Sequence, residues 1–445
     1  MKIFYGTKKL CLRKTKLFLR RMQKRHSSLI VCAACGGIFG RVSVLADKLL
    51  ITKQGDRLIT AWTEDGRICR LQAEPLEGDG ILGNIYVGKV RNIVKNINAA
   101  FVEFRKGQMG YLPLQASSCP IATDSVVHGQ GRVLIGDEIL VQVEREAVKT
   151  KPPTLTGRLE FAGKYVVLTA GGHGVFLSKK IKDRAVREEM SEFLSACCRG
   201  KGYALLARTN SVGTSKEELE REIAELESCY QDVVSRGRHM AQFTCLHRAL
   251  PAYLDSIQGM YRDRAVEVLT DDEWVYGSVR DFLERRGWSD APEPVLWNPE
   301  HGKMDAVFNI SRTVEKALQP KVWLKSGAYL VIQPTEALVS IDVNTGKAVS
   351  KKKDVQKNFL KVNLEAAREI AVQIRLRNLS GIILVDFIDM LSKEANQELL
   401  AVFRGELGRD PVPTSLVDMT KLGLVELTRK KVRKPFYEQL REDRV

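Results

Sequence analysis

Two aliphatic runs in the last third of the chain have the length and composition of buried β-strands. The first ends in Asp342-Val-Asn344 and the second, Gly381–Asp386, ends in another aspartate, where burial normally demands an apolar side chain. Between them, residues 362–377 show the apolar periodicity of an amphipathic helix, and Gly381 follows shortly after. A strand–helix–strand unit gives parallel strands with carboxyl ends at one edge of the sheet. We therefore expect Asp342 and Asp386 to share one crevice.

The residue types at this edge indicate a metal site. A pair of carboxylates at neighbouring strand ends is tolerated when a hard divalent cation lies between them, and Mg²⁺ prefers oxygen ligands. Asn344 shares a face with Asp342, so its amide could donate to a phosphate oxygen or to a water molecule. Asp389 is out of phase with Asp386 and is interpreted as a turn or helix-start residue. The patterns alone leave open an ordinary β-α-β core with two polar strand ends.

Short alternating segments with glycine-containing turns fill residues 83–144 and predict a small barrel of the OB type. Because side chains alternate along a strand, Phe101 is expected on the exposed face, opposite the inward set Ala100, Val102 and Phe104. The same alternation places Tyr111 on the exposed face. Exposed rings of this kind stack on nucleobases, although they can also cover a neighbouring domain.

Periodicity also outlines the elements around the barrel. It predicts two strands within residues 49–70 around a turn at 54–57, strands over 161–168 and 203–209, and helices over 182–198 and 214–237. The Arg208-Thr209 pair ends one of these strands, and a guanidinium fork beside a hydroxyl suits a terminal phosphate. In isolation such a pair is more often an ordinary surface pair.

Composition narrows the class of partner. The chain has 445 residues, 44% of them hydrophobic, which allows several domains and a substantial core. A formal charge of +16 favours a polyanionic partner, with nucleic acid first. The basic tracts at residues 351–353 and 429–434 are expected to meet a phosphate backbone, although such runs are usually solvated faces.

Cysteine, histidine and apolar patterns bear on cofactors and compartment. The nine cysteines show no paired framework, which indicates a reducing cytoplasm. Cys32 and Cys35 form the one CxxC and are interpreted as structural rather than zinc-binding, and the six histidines have neither zinc-ligand nor catalytic-triad spacing. No apolar stretch reaches membrane-spanning length, so integral membrane association is not expected. Residues 1–46, basic and then apolar, superficially resemble a signal peptide or a basic membrane-surface helix. They are interpreted as an atypical basic extension, with a misassigned start first, an RNA-tethering segment next and secretion last.

Four sequence blocks resemble, in order and spacing, the catalytic part of the ribonuclease E/G family. They are Ser340–Asn344, Asn363–Ala367, Gln373–Leu379 and Val385–Met390, and the resemblance extends from about Asp47 to Leu440. In that family the aspartates matching Asp342 and Asp386 bind Mg²⁺ and the asparagine matching Asn344 assists catalysis. The resemblance implies a Mg²⁺-dependent endoribonuclease of the cytoplasm that cleaves single-stranded RNA in rRNA processing and mRNA decay.

The resemblance further implies two sets of binding residues. The RNA-binding set is Phe101, Tyr111 and Lys151, and the set for a 5′-monophosphate is Gly163, Val167, Arg208 and Thr209. Prolines at 152 and 153 follow Lys151, where the family loop is usually rich in glycine and alanine.

The same resemblance implies an α/β and β multidomain fold. Its parts are the basic N-terminal extension (1–46), a discontinuous RNase H-like subdomain (47–82 and 246–317), an OB-fold RNA-binding domain (83–157), a 5′-sensor region (158–245) and a DNase I-like catalytic domain (318–445). Many members continue into a cysteine pair that shares zinc between protomers. The residues leading up to Val445 contain no such CxxC, so any homo-oligomer is expected to lack a zinc link.

Two other functions remain as alternatives. A non-catalytic RNA-binding protein would need only the barrel and the basic patches, so the intact set of Asp342, Asn344 and Asp386 disfavours it. A DNA nuclease would share the metal site but would leave the Arg208-Thr209 pair unexplained.

Overall fold

A computed structural model describes residues 47–76, 80–114, 121–123, 133–147, 151–260, 266–346 and 355–441. The predictions for residues 1–46, including the Cys32–Cys35 pair, and for the basic tract at 351–353 lie outside these described residues.

A five-stranded sheet takes its strands from two distant parts of the chain. In spatial order these are β15 (Pro294–Leu296), β14 (Val266–Thr270), β1 (Asp47–Gln54), β2 (Arg57–Glu64) and β3 (Arg67–Pro75). β1 pairs in parallel with β14, with Asp47 opposite Val266. The strand pair predicted around residues 54–57 is confirmed as the β1–β2 hairpin. The second strand ends at Glu64, short of the predicted residue 70, because Asp65 and Gly66 both adopt positive φ and turn the chain into a third strand. Assigning this sheet to an RNase H-like subdomain stays a prediction.

A closed five-stranded barrel follows, as the alternating segments predicted. It consists of β4 (Ile85–Val94), β5 (Ala99–Arg105), β6 (Gln108–Pro113), β8 (Thr154–Thr156) and β7 (Glu138–Arg145), and β7 closes on β4, while β13 (Cys245–His247) pairs with β4 from outside. The predicted inward residues Ala100, Val102 and Phe104 are buried in its core. The architecture is consistent with an OB-like fold.

The third sheet is small and is covered by two helices. Its order is β11 (Val175–Leu177), β12 (Tyr203–Ala207), β10 (Val166–Ala170) and β9 (Glu160–Ala162), and the helices are α1 (Arg184–Cys198) and α2 (Lys216–His239). Asp183 and Ser215 cap the helix starts with their side-chain oxygens. The single strand predicted over 161–168 is wrong, because the backbone turns at residues 163–165, where Gly163 N–H donates to the Val166 carbonyl.

The C-terminal part contains a six-stranded sheet with one face covered. Its order is β16 (Lys321–Trp323), β17 (Tyr329–Pro334), β18 (Leu338–Asn344), β19 (Gly381–Asp386), β21 (Leu424–Arg429) and β20 (Thr414–Met419), and α7 (Val355–Leu376) and α8 (Lys393–Leu407) belong to the same core. The helix predicted over 362–377 begins earlier, at Val355. The apolar pattern marks only the part that packs against the sheet, and Val362 is the first buried residue of α7. The DNase I-like assignment stays a prediction.

Short helices connect these units and complete the described chain. They are α3 (Ala252–Gln258), α4 (Glu273–Arg286), α5 (Met304–Phe308), α6 (Ile310–Leu318) and α9 (Phe436–Gln439). No helix in the described part of the chain is both long enough and apolar enough to cross a bilayer.

The basic tract at 429–434 contributes to internal contacts more than to an open basic face. Arg429 is buried and its guanidinium contacts Asp410 at 2.7 Å, while Lys430 and Arg433 pair with Glu144 and Asp255. Three of its charges are thus partly neutralised by acids, and the expectation that this tract meets a phosphate backbone stays a prediction.

Candidate functional site

The parallel pairing of β18 and β19 places Asp342 directly opposite Asp386. Neighbouring strands lie about 4.8 Å apart, so the two carboxylates share one edge of the sheet as predicted. Both side chains are exposed on the sheet face that α7 and α8 leave uncovered, because Ile341, Val343 and Val385 take the inward positions. The expected burial of the aspartates is therefore wrong, and water reaches both groups.

Three negative charges act on one another at this edge. Partial burial, then the charges of Asp342 and Asp389, raise the pKa of the Asp386 carboxyl. Asp389 lies in the loop between β19 and α8, as predicted for a turn residue. A cation bound at this edge would reduce the repulsion that Asp386 experiences from Asp342 and Asp389.

Asn344 holds one of the two carboxylates. Its Nδ2 donates to Asp342 Oδ2 at 2.6 Å, so the amide orients this carboxylate with one of its two N–H groups. The expected donation to a phosphate oxygen or a water molecule stays a prediction. Within the described residues, Asp342 Oδ1 and both oxygens of Asp386 accept no hydrogen bond. Three carboxylate oxygens therefore remain available to a ligand.

The donor set fits Mg²⁺ better than it fits zinc. Among the described residues, no group of three or more His, Cys, Asp or Glu side chains has metal-holding geometry. Mg²⁺ commonly uses one or two carboxylates and completes its coordination with water and substrate phosphates, whereas zinc takes three or four protein ligands. Asp342 and Asp386 are the residues that would hold the magnesium ion.

A second site lies at the end of the small sheet, where the residues expected to bind a 5′-phosphate come together. Arg208 N–H donates to the Tyr165 carbonyl at 2.8 Å, and the Arg208 guanidinium donates to the Gly163 carbonyl at 2.5 Å. Val167 on β10 is paired with Leu206 on β12, and Thr209 Oγ1 lies 3.2 Å from Ser178 Oγ.

A basic cavity of about 550 Å³ opens at this second site. Its lining includes Arg208 and Thr209 together with Arg70, Lys180 and Arg375, and Asp255 is the one acid in that lining. We call this site the phosphate pocket, because its cations and hydroxyl match an anionic group.

A buried glutamate on α2, which the sequence analysis did not single out, holds the backbone of the phosphate pocket. Glu222 accepts hydrogen bonds from the backbone N–H groups of Lys164, Tyr165 and Val166 at 2.6, 2.8 and 2.9 Å. Burial raises the pKa of Glu222 although these three donors act to lower it. A Cβ at Gly163 would lie 2.4 Å from the Glu222 carboxyl carbon, so this close approach requires glycine.

Further buried polar contacts support the same turn. Tyr165 Oη donates to Glu218 Oε1 at 2.9 Å, and the ammonium of Lys164 contacts Asp290 at 2.5 Å. The sequence did contain a signal for these contacts. Glu218 and Glu222 are four residues apart and lie beside the apolar stripe of α2, where a side chain is expected to be buried.

The barrel residues predicted to bind RNA lie around β5, β6 and β8. Phe101 and Tyr111 are opposite each other in the β5–β6 pairing, with ring centroids 6.1 Å apart in an edge-on arrangement. Both rings are half-buried because each covers part of the other, so full exposure of Phe101 is not observed. Lys151 is exposed, two residues before Pro153, whose carbonyl accepts from Tyr111 N–H.

Residues 160–432 match the family model described as the Ribonuclease E/G family. This chain belongs to the ribonuclease E/G family. The matched region contains Asp342 and Asp386 and, from the phosphate pocket, Lys180, Arg208, Thr209 and Arg375, whereas Arg70 of the pocket lies outside it.

Individual relatives of the ribonuclease E/G family agree with this assignment. A protein named Ribonuclease E from Nostoc sp. (strain PCC 7120) is 32% identical over 366 residues, covering 80% of this chain and 52% of the relative. A Ribonuclease E from Synechocystis sp. (strain PCC 6803) is 30% identical, with 81% and 54% covered. Ribonuclease G from Escherichia coli (strain K12) is 29% identical over 401 residues, with 87% and 80% covered. The chain thus spans about half the length of the two Ribonuclease E proteins.

Proposed function

We propose that this ribonuclease E/G chain is a Mg²⁺-dependent endoribonuclease that cleaves single-stranded RNA during rRNA processing and mRNA decay in the cytoplasm. The observation that carries the proposal is the direct opposition of Asp342 and Asp386 on an exposed sheet face, with three carboxylate oxygens that accept no hydrogen bond from the described residues. The names of the relatives and the charge of +16 support RNA as the substrate.

Each residue of the carboxylate edge has a distinct role in this proposal. Bound Mg²⁺ would supply a Lewis acid for the scissile phosphate and lower the pKa of a coordinated water. Asp342 and Asp386 provide the anionic ligands, and Asn344 fixes the orientation of the Asp342 carboxylate through the 2.6 Å hydrogen bond. The products carry 5′-phosphate and 3′-hydroxyl ends.

The phosphate pocket adds a preference for RNA with a 5′-monophosphate. One guanidinium nitrogen of Arg208 is used to hold the Gly163 carbonyl, which leaves the other N–H groups of the fork to a terminal phosphate beside the Thr209 hydroxyl. Gly163 and Val167 shape the adjoining strand end. A 5′-hydroxyl end carries no charge for this fork, so it gains little from the pocket. Phe101, Tyr111 and Lys151 would contact the strand on the barrel.

The test uses a 5′-labelled single-stranded RNA incubated with the protein and Mg²⁺, then with EDTA, then with Mg²⁺ restored. We expect internal cleavage with Mg²⁺, none with EDTA and recovery on restoration. Intact RNA under all conditions, with binding retained, would favour the non-catalytic RNA-binding alternative. Equal cleavage of a single-stranded DNA of the same sequence would favour the DNA nuclease.

A further inference from the structure

Two aromatic rings and a lysine form a compact cluster on β16 and β17. Lys321 Nζ lies 4.2 Å from the ring centroid of Trp323 and 3.7 Å from that of Tyr329. The two ring centroids are 5.2 Å apart, and the rings are tilted by 57°. Trp323 nevertheless remains 60% exposed, so these contacts fix the position of a large apolar ring that solvent can reach.

Strand register places this cluster on the same sheet face as the carboxylate edge. Trp323 pairs with Tyr329, and Tyr329 pairs with Asn344, so the three residues form one row across β16, β17 and β18. Paired residues project to the same side of a sheet, and the intervening Val322 packs against the core on the other side. Two strand spacings put the backbone of Trp323 roughly 10 Å from that of Asn344.

The next row of the same face contains the proposed metal ligands. Val331 pairs with Asp342, and Asp342 pairs with Asp386. A strand of RNA whose scissile phosphate reaches the carboxylates can therefore cross the neighbouring row within a few nucleotides.

We propose that Lys321, Trp323 and Tyr329 form a nucleobase-binding site for the RNA strand that crosses the uncovered sheet face. This site deepens the proposed endoribonuclease function and rests on it. An aromatic face stacks on any base without sequence preference, and the edge formed by Asp342 and Asp386 repels a phosphate backbone unless attraction is supplied beside it. Lys321 supplies a positive charge there, since no carboxylate among the described residues pairs with it.

A second exposed tryptophan provides a matched control. Trp274, in the first turn of α4, is 62% exposed, nearly the same as Trp323. It lies outside the six-stranded sheet and is not in register with the carboxylates. Replacement of either ring by alanine removes a similar exposed surface, but only the Trp323 change removes a ring beside the proposed metal ligands.

The experiment measures the binding of a labelled single-stranded RNA in EDTA, where the strand stays intact, to the wild type, Trp323→Ala, Trp323→Phe and Trp274→Ala. Loss of one base-stacking contact should weaken binding about five- to a hundredfold in Trp323→Ala. Trp323→Phe, which keeps a smaller ring, should show an intermediate loss and guards against a folding defect. Trp274→Ala should bind within about twofold of the wild type.

An abasic scan then locates the base. Cleavage in Mg²⁺ fixes the scissile position, and single abasic nucleotides are placed at each position around it for binding in EDTA. In the wild type one position near the scissile phosphate should weaken binding, and in Trp323→Ala the same abasic change should have no further effect. Equal abasic losses in both proteins, or unchanged binding by Trp323→Ala, would overturn the stacking site and leave the nuclease proposal standing. Trp323-dependent binding without Mg²⁺-dependent cleavage would support the stacking site and overturn the nuclease proposal.

Discussion

The carboxylate edge and the phosphate pocket are organised in opposite ways. At the edge, two like charges face each other on an exposed surface, and within the described part of the chain they receive one hydrogen bond, from Asn344 to Asp342. In the pocket, the backbone beside Arg208 is fixed from behind by a buried glutamate with three hydrogen bonds. The edge depends on a ligand to relieve its charge, whereas the pocket is shaped by the fold before any ligand arrives.

Because of this difference, mutations at the edge and in the pocket should have different consequences. Removing a charge from the edge should abolish chemistry and leave the fold intact, because nothing in the core depends on it. Removing a charge from behind the pocket should weaken both recognition and the fold, since the same hydrogen bonds serve both.

The largest effect is expected at the edge. Asp342→Asn and Asp386→Asn should each slow Mg²⁺-dependent RNA cleavage by about a hundredfold or more, because each removes a ligand charge worth several kcal/mol in transition-state stabilisation. Single-strand binding in EDTA should persist and should not weaken, because a charge that repels the phosphate backbone has been removed. Asp418→Asn, an exposed aspartate on β20 of the same sheet, is the matched control and should cleave normally. An unaltered rate in either edge variant contradicts the metal assignment.

The second-largest effect is expected when the Arg208 guanidinium is removed. A charge-assisted hydrogen bond contributes about 1.5–3 kcal/mol, so Arg208→Ala should remove a roughly ten- to hundredfold preference for 5′-monophosphorylated over 5′-hydroxyl RNA. Cleavage of the 5′-hydroxyl RNA should be nearly unaffected. Arg184→Ala, a 92% exposed arginine of α1, serves as control. Equal slowing of both substrates would show that Arg208 has only a structural role.

Glu222→Gln tests whether the fold shapes the pocket. A neutral amide offers one acceptor oxygen, so at least one of the three buried backbone N–H groups loses its partner, at a cost of about 1–3 kcal/mol. Denaturant unfolding should show this loss, and KM for 5′-monophosphorylated RNA should rise while kcat on 5′-hydroxyl RNA is kept. Glu225→Gln, exposed on the same helix, should do neither. A stability loss without a change in KM would separate the glutamate from recognition.

The smallest expected effect is an increase in stability, the opposite of what most substitutions cause. In EDTA, Asp386→Asn should raise the melting temperature by about 1–3 °C, because it removes repulsion from Asp342 and Asp389. Mg²⁺ should reduce or reverse this difference, since only the wild type keeps both anionic ligands. A lower melting temperature of the variant in EDTA would mean that the Asp386 carboxylate stabilises the metal-free fold.

Sequence periodicity predicted those elements whose side chains meet a core directly. The parallel strands with Asp342 opposite Asp386, the inward set around Val102 and the helices predicted over 182–198 and 214–237 lie within two residues of where the patterns indicate. Each of these depends on local periodicity, which a single sequence displays.

The features that escaped prediction depend on partners far away in sequence. Glu222 looks like one more acid on a helix until Tyr165, 57 positions away, is seen to donate to it. The start of α7 at Val355 escaped because its first turns do not pack against a core. Phe101 is half-buried because the Tyr111 ring on the next strand covers part of it, and alternation along one strand cannot predict that contact.

The first strand in the described part of the chain, β1, has a consequence for biosynthesis. β1 pairs on one side with β14, and the Lys48–Glu267 contact within that pairing joins residues 219 positions apart. At about 5–20 residues per second, a ribosome needs roughly 10–45 s to deliver the partner strand. During that interval one edge of β1 has open backbone hydrogen-bonding groups, although β2 already covers the other edge. Between synthesis of the β1–β2 hairpin and release of β14, this edge of the nascent chain is therefore open to mispairing and to chaperones.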